Sequence, residues 1–242
     1  GGGVYSEDNI IYMTNVLVAN NTGGQGPIAD GGGIFSEFST LNIQSSIIDN
    51  NNCTGRGGGL FIESSNADII NTEIKNNFSG RRGGGLFSEL SNLNMSYGVI
   101  SGNSGPSGGG IEVWAPAFSI ISNITITGNE ALVGGAINGN ENPILINCIL
   151  WGNIVQEVGG QPTIVYSNIS YGYPGIGNIS VDPLFVDAEN GDYHLQEGSP
   201  AIDAGIATFA LLGDTLINLS DEDYYGTAPD MGAYEYSGTV GT

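Results

Sequence analysis

The sequence predicts an all-β fold, a right-handed single-stranded parallel β-helix: a solenoid of coils about 26 residues long. Three observations predict it. Glycine runs recur at a near-constant interval, an aliphatic-x-x-Asn signature recurs in step with them, and the chain between the two alternates with the two-residue period of a strand.

The glycine runs begin at Gly1, Gly31, Gly57, Gly83, Gly108 and Gly134, so the intervals are 30, 26, 26, 25 and 26. An apolar residue follows each: Val4, Ile34, Leu60, Leu86, Ile111 and Ile137. The second marker reads Leu17/Asn20, Ile47/Asn50, Ile74/Asn77, Ile100/Asn103, Ile126/Asn129 and Leu150/Asn153. A β-sandwich with glycine-rich turns has no reason to keep two independent markers in register six times. Between them, Ile43, Ser45 and Ile47 share one parity, as do Ile70, Thr72 and Ile74, then Ser122, Ile124 and Ile126, then Ile146, Cys148 and Leu150. Strands this short must pair with the next coil, in parallel, about 4.8 Å away. Glycine fits a corner that needs positive φ. Asn tolerates left-handed backbone at the other corner, and its amide can bond its counterpart one coil on.

Composition agrees. Of 242 residues 41 are Gly, against a usual share of about 7 %, and Gly and Asn are both poor in helix interiors. The net charge of −21, with only four Lys and Arg, excludes nucleic acid as a partner, which needs a basic patch. It favours cations, above all Ca²⁺, a hard ion that takes oxygen ligands. No apolar run is long enough to span a bilayer, so no membrane insertion of this chain is expected. Cys53 and Cys148 lie four coil steps apart, about 19 Å at 4.8 Å per step, beyond the roughly 7 Å a disulfide bridges. Both are expected as free thiols, Cys148 buried. Gly1-Gly2-Gly3 is already repeat sequence, so an export signal and earlier coils are expected ahead of it.

The alternation also assigns faces. With the apolar residue three after each first glycine pointing inward, Ser6, Ser36, Ile62, Ser88 and Val113 point inward too. Two outward columns result: Tyr5, Phe35, Phe61 and Phe87, and beside it Glu7, Glu37, Glu63 and Glu89. Carboxylates stacked about 5 Å apart repel, so a cation, raised pKa values or solvation must relieve them. Trp114 and Asn140 interrupt the acidic column, and Trp151 stands on another. Arg56 and Arg82 precede glycine runs one coil apart, placed either to bind a carboxylate or to balance nearby acids. Rings beside carboxylates over four coils read as a binding stripe for a glycan or a cell-surface protein; the alternative is a solvated acidic face. Asp187, Asn190 and Asp192 surround Gly191 with oxygen ligands at a Ca²⁺-compatible spacing, although turn chemistry alone also accounts for Asn-Gly-Asp. The run Asp221 to Asp223 reads as a solvated loop.

No catalytic set stands out. Lyases of acidic polysaccharides need Arg or Lys at the uronate, and besides Arg56 and Arg82 the chain has only Lys75 and Arg81. Hydrolases of this architecture need clustered Asp with His, and the sole His, His194, reads as remote from any Asp–Asp pair. No nucleophile elbow, P-loop or HExxH occurs. A single Thr-x-Thr, Thr125 and Thr127, gives no ice-binding ladder. Eight Asn-x-Ser/Thr sequons are present, of which Asn20 and Asn77 are expected inside the Asn ladder.

Gly134-Gly135-Ala136-Ile137 and its relatives, paired with Ile-x-x-Asn, resemble the repeats of polymorphic outer-membrane proteins, adhesins with GGA[ILV] and FxxN motifs. Ile or Leu stands here where they carry Phe, so the likeness is to the architecture. Asp182-Pro183-Leu184-Phe185-Val186-Asp187, Gly191-Asp192-Tyr193-His194-Leu195, Gly198-Ser199-Pro200-Ala201-Ile202-Asp203-Ala204-Gly205 and Asp230-Met231-Gly232-Ala233-Tyr234-Glu235-Tyr236 resemble the end module of bacterial secreted β-helix proteins of the choice-of-anchor type. Residues 221–227 depart from it, where relatives often carry a Gly-Asn-Pro-Arg turn. The resemblance implies a secreted protein held at the cell surface by a further anchor.

The expected organisation is therefore β-helix over residues 1–181, an end module with closing coils over 182–236 and a linker over 237–242. The expected function is a non-catalytic, adhesin-like module. A polysaccharide lyase or hydrolase with part of its site elsewhere is one alternative. A structural subunit that self-associates end to end or laterally, through its open first coil, is another.

Overall fold

The computed structural model describes residues 1–23, 29–114, 118–140 and 142–238. It is a parallel β-solenoid of three seven-stranded sheets. The first sheet holds Val4–Glu7, Ile34–Glu37, Leu60–Glu63, Leu86–Glu89, Ile111–Trp114, Ile137–Gly139 and Val158–Gly160. The second holds Ile10–Thr14, Thr40–Gln44, Asn66–Ile70, Asn92–Ser96, Ser119–Ser122, Ile144–Ile146 and Thr163–Val165. The third holds Leu17–Ala19, Ile47–Asp49, Glu73–Lys75, Val99–Ser101, Thr125–Thr127, Ile149–Trp151 and Asn168–Ile169.

The glycine period sets the register. Ile34 pairs with Leu60, Leu60 with Leu86, Leu86 with Ile111 and Ile111 with Ile137, all in parallel. These residues line a core with Leu41, Ile69 and Leu93 from the second sheet and Ile48, Ile74, Ile100, Ile126 and Leu150 from the third. Each glycine corner is closed by conformation. Gly57 and Gly83 have φ of 67° and 60°, and a Cβ there would strike the carbonyl of Leu60 or Leu86. Both cysteines are free and buried.

Two expectations about the corners need correction. Between the second and third sheets sits one left-handed residue per coil, Asn15, Ser45, Asn71, Tyr97, Asn123, Asn147 and Tyr166. It resets the alternation, so parity does not carry across the corner. Ile43 points into the core while Ile47 does not, Ile70 is exposed, and Ile146 packs outside the solenoid core. At the next corner Asn20, Asn50 and Asn76 are left-handed, with φ of 59°, 53° and 55°, and Gly102, Gly128 and Gly152 continue their column. The inward ladder is the following residue. In the first two coils the signature is therefore Val18/Asn21 and Ile48/Asn51, one residue later than read, with Leu17 66 % exposed. Asn20 stands outside the inner ladder, where its Oδ1 accepts from Asn50.

Each ladder amide serves both neighbours. Asn77 donates its backbone N–H and its Nδ2 to Asn103 Oδ1, both at 2.9 Å. Asn103 does the same to Asn129, and its Nδ2 also reaches the Ile74 carbonyl at 2.8 Å. The column ends on a carboxylate: Asn153 Nδ2 donates to Glu157 Oε2 at 2.6 Å and its N–H to Oε1 at 3.2 Å. Burial raises the pKa of Glu157, opposed by these bonds.

After residue 181 the chain folds back along the outer flank rather than adding coils. It forms two antiparallel hairpins, Phe185–Asp187 with Asp192–Leu195 and Thr208–Leu211 with Asp214–Asn218. Ile217, with Phe209 and Leu211, covers Ile144, Ile146 and Val165. Leu195, Ala201 and Met231 cover Ile149, with Trp151 partly buried beside them. Hydrogen bonds to the solenoid corners fasten this segment. Asn147 brackets the Ile206 backbone at 2.8 and 3.0 Å, Gly232 N–H donates to the Asn147 carbonyl, and Ala233 N–H donates to Thr125 Oγ1 at 3.0 Å. The carboxylates hold the loops: Asp230 accepts from the N–H groups of Asp203 and Tyr236, Asp203 from Thr227 and Ala228, and Glu235 from Asp230 and Tyr225. Of residues 237–242, the last four lie outside the described residues.

Candidate functional site

The outer face of the first sheet carries both columns in register. Tyr5 pairs with Phe35, Phe35 with Phe61 and Phe61 with Phe87, and the four glutamates pair likewise. Successive rings lie 5.5, 5.0 and 5.3 Å apart. Accessibility divides the column. Tyr5 is 53 % exposed and Phe35 half-buried, whereas Phe61 and Phe87 are fully buried. Their cover is Arg56, whose guanidinium carbon sits 4.5 Å from the Phe61 ring centre and 5.5 Å from that of Phe87.

Arg56 is pinned there by two acids. Its Nη2 lies 2.8 Å from Asp30 and its Nη1 2.6 Å from Glu89. The acidic column thus finds a counter-charge within the protein. Glu63, next to Glu89, keeps a raised pKa through burial and then through the charge of Glu89. At the open end the Tyr5 hydroxyl donates to Glu7 at 2.6 Å, which pushes the phenol up to about 12.

One coil on, the same elements recur with their columns exchanged. Arg82 lies 4.2 Å over the Trp114 ring, where a Glu stood before, and pairs at 3.2 Å with Glu112, where a Phe stood before. Glu112 is buried, and burial raises its pKa against the bonds from Ser107, Arg82 and Asn138. Glu112 was missed by the reading of the sequence; the visible signal was that the aromatic column stops at this residue. The third basic side chain, Lys75, pairs with Glu73 at 2.6 Å.

The remaining candidates fall apart from this face. In the turn at Gly191 (φ 85°), Asn190 Nδ2 donates to Asp187 at 2.7 Å, and Asp192 contacts His194 Nδ1 at 2.7 Å. No group of three or more His, Cys, Asp and Glu side chains suited to a metal occurs among the described residues. His194 is nearer to paired acids than expected, because Asp187 and Asp192 face each other across the hairpin. Its ring stacks on Tyr234 at 4.1 Å. Asp221 and Asp223 hold Tyr224 and Ser220 within their own loop. Thr125 and Thr127 are buried. Among the described residues no helix is long and apolar enough to cross a membrane, which says nothing of β-barrel spans.

The fold defines the class: a parallel β-solenoid with coils of about 26 residues. No protein-family model, curated protein or solved structure matches the chain.

Proposed function

We propose that this chain is a non-catalytic, adhesin-like rod that works outside the cell, at a bacterial surface, and presents the outer face of its first sheet to a glycan or a surface protein. One observation carries the reading: an aromatic ring and a carboxylate recur side by side in each of the first four coils, exposed at Tyr5/Glu7 and partly exposed at Phe35/Glu37. A periodic, amphipathic strip of this kind suits an extended partner. The ion pairs of Arg56, Arg82 and Lys75 favour binding over lyase chemistry, since each of these cations already has a carboxylate. The test is binding of the intact chain to an array of neutral glycans and to bacterial and host surface proteins. The double variant Y5A/F35A should lose that binding while remaining folded by circular dichroism. Equal binding by the variant sinks the proposal.

A second reading, a polysaccharide lyase or hydrolase, is favoured by the meeting of Arg82, buried Glu112 and Trp114. Turnover of a uronate polymer that both R82A and E112Q abolish would establish it in place of the first. Self-association through the strands Val4–Glu7, Ile10–Thr14 and Leu17–Ala19, which end their sheets, is measured by sedimentation across a concentration series.

A further inference from the structure

The seam between the C-terminal segment and the solenoid forms a half-open cavity of about 210 Å³. It does not share residues with the first-sheet face. Its wall comes from two sides. The solenoid contributes the left-handed corner Ser45, Asn71 and Tyr97 with the adjoining Ile47, Thr72, Glu73 and Val99; the C-terminal segment contributes Tyr234.

The chemistry of the wall is mixed in a specific way. Two phenols come from opposite sides, and no hydrogen bond to a described residue occupies either hydroxyl. Tyr97 is half-buried, and Tyr234 is held upright by its stack with His194 at 4.1 Å. The Asn71 amide makes one long bond, 3.3 Å, to Ser45 Oγ. Ile47 and Val99 supply an aliphatic floor. A ligand with both hydroxyls and an apolar face satisfies such a wall, and a pyranose ring has both.

Charge decides between ligand classes. The acid in the wall, Glu73, has its Oε2 paired with Lys75 at 2.6 Å, which weakens the attraction for an amine and leaves Oε1 to accept from a sugar hydroxyl. Beyond the wall lie Asp192 against Tyr234 and Asp223 and Glu235 against Tyr97, in a chain of net charge −21, so a uronate is repelled. The size is below the roughly 300–1,000 Å³ of drug-sized ligand sites and suits one ring.

We infer that this seam is a binding site for one neutral sugar residue, the terminal ring of a glycan. The experiment is saturation-transfer NMR on the full chain with methyl glucoside, methyl galactoside, methyl mannoside and N-acetylglucosamine, with glucuronate and putrescine as charged controls. At least one neutral sugar should bind saturably. Ile47→Trp, which fills the cavity from its floor, should abolish that binding. Glu73→Gln, which keeps the shape, should weaken it about tenfold, the effect of a charge-assisted hydrogen bond. Should Ile47→Trp fail to fold, Glu73→Gln decides alone. Binding of no neutral sugar, binding unchanged in the variants, or preference for either charged control overturns the inference.

Discussion

Asn103 and Asp230 are both buried side chains that accept backbone N–H groups, one in the solenoid wall and one in the segment folded against it. Asn103 has an identical neighbour above and below. Its amide gives and receives in equal measure, so the column is satisfied without charge. Asp230 sits in a segment without repeats and solves the same problem with an acceptor-only group. It then has Asp203 and Glu235 close by, and Glu235 is pushed up to about 7 by burial and by the charge of Asp230. Repetition lets neutral groups satisfy one another; where repetition stops, loops are held by carboxylates, and those respond to pH.

The largest test of this contrast is Asn103→Ala. It strands the Asn77 N–H, one of the two Asn77 Nδ2 hydrogens (the other keeps the Ile48 carbonyl) and the Ile74 carbonyl, and at about 1–3 kcal/mol per buried unsatisfied group the loss should be about 4 kcal/mol, read by urea unfolding. Because coils couple to nearest neighbours, hydrogen exchange should rise first in the adjoining coils. A loss under about 1 kcal/mol would mean that the ladder is not what holds this wall.

Gly232→Ala should act on the segment alone. Its φ is 103°, and a Cβ would lie 2.8 Å from Ile149 Cδ1 and 2.9 Å from Thr125 Oγ1. A cost of about 2–3 kcal/mol should make residues 182–238 sensitive to protease while the solenoid resists. Simultaneous digestion of both would show one cooperative unit. Arg56→Ala should cost about 1–2 kcal/mol through lost cover of Phe61 and Phe87 and two abandoned acids; an unchanged denaturation midpoint would mark the pair as ornamental.

The pH test is smaller. A carboxyl whose folded pKa lies above its unfolded value of about 4.5 stabilises the fold fully below pH 4.5 and loses that contribution as pH rises through about 7. Relative to Glu235→Gln, the wild-type melting temperature should therefore fall between pH 4.5 and pH 8. A parallel pair of curves contradicts the assignment. Smallest is Ca²⁺: with Asp187 and Asp192 engaged by Asn190 and His194, melting in Ca²⁺ should match that in Mg²⁺ at equal ionic strength. A Ca²⁺-specific rise would establish the turn at Gly191 as a metal site.

The period was legible because glycine corners and Asn columns mark it independently. Register at the Asn corner was not legible in the first two coils. There the chain reads Asn20-Asn21 and Asn50-Asn51-Asn52, and letters alone do not say which Asn is left-handed and which turns inward. The third coil resolves this only through pairing, since Ile74 lies opposite Ile48. The outward direction of Phe61 and Phe87 was read correctly but their exposure was not, because cover came from a side chain five positions earlier, lying flat. Glu112 was invisible to a search for columns because it is where a column breaks. The seam cavity joins residue 97 to residue 234, a contact no local pattern encodes.

The fasteners of the C-terminal segment also have a mechanical consequence. Tension on the chain at residue 238 would not peel the solenoid strand by strand. It would load first the bonds from Ala233 to Thr125 and from Gly232 to Asn147, on two neighbouring coils, and only after these open the bracket of Asn147 on Ile206. The segment therefore gives way in steps from its C-terminal end, and the solenoid coils carry load last.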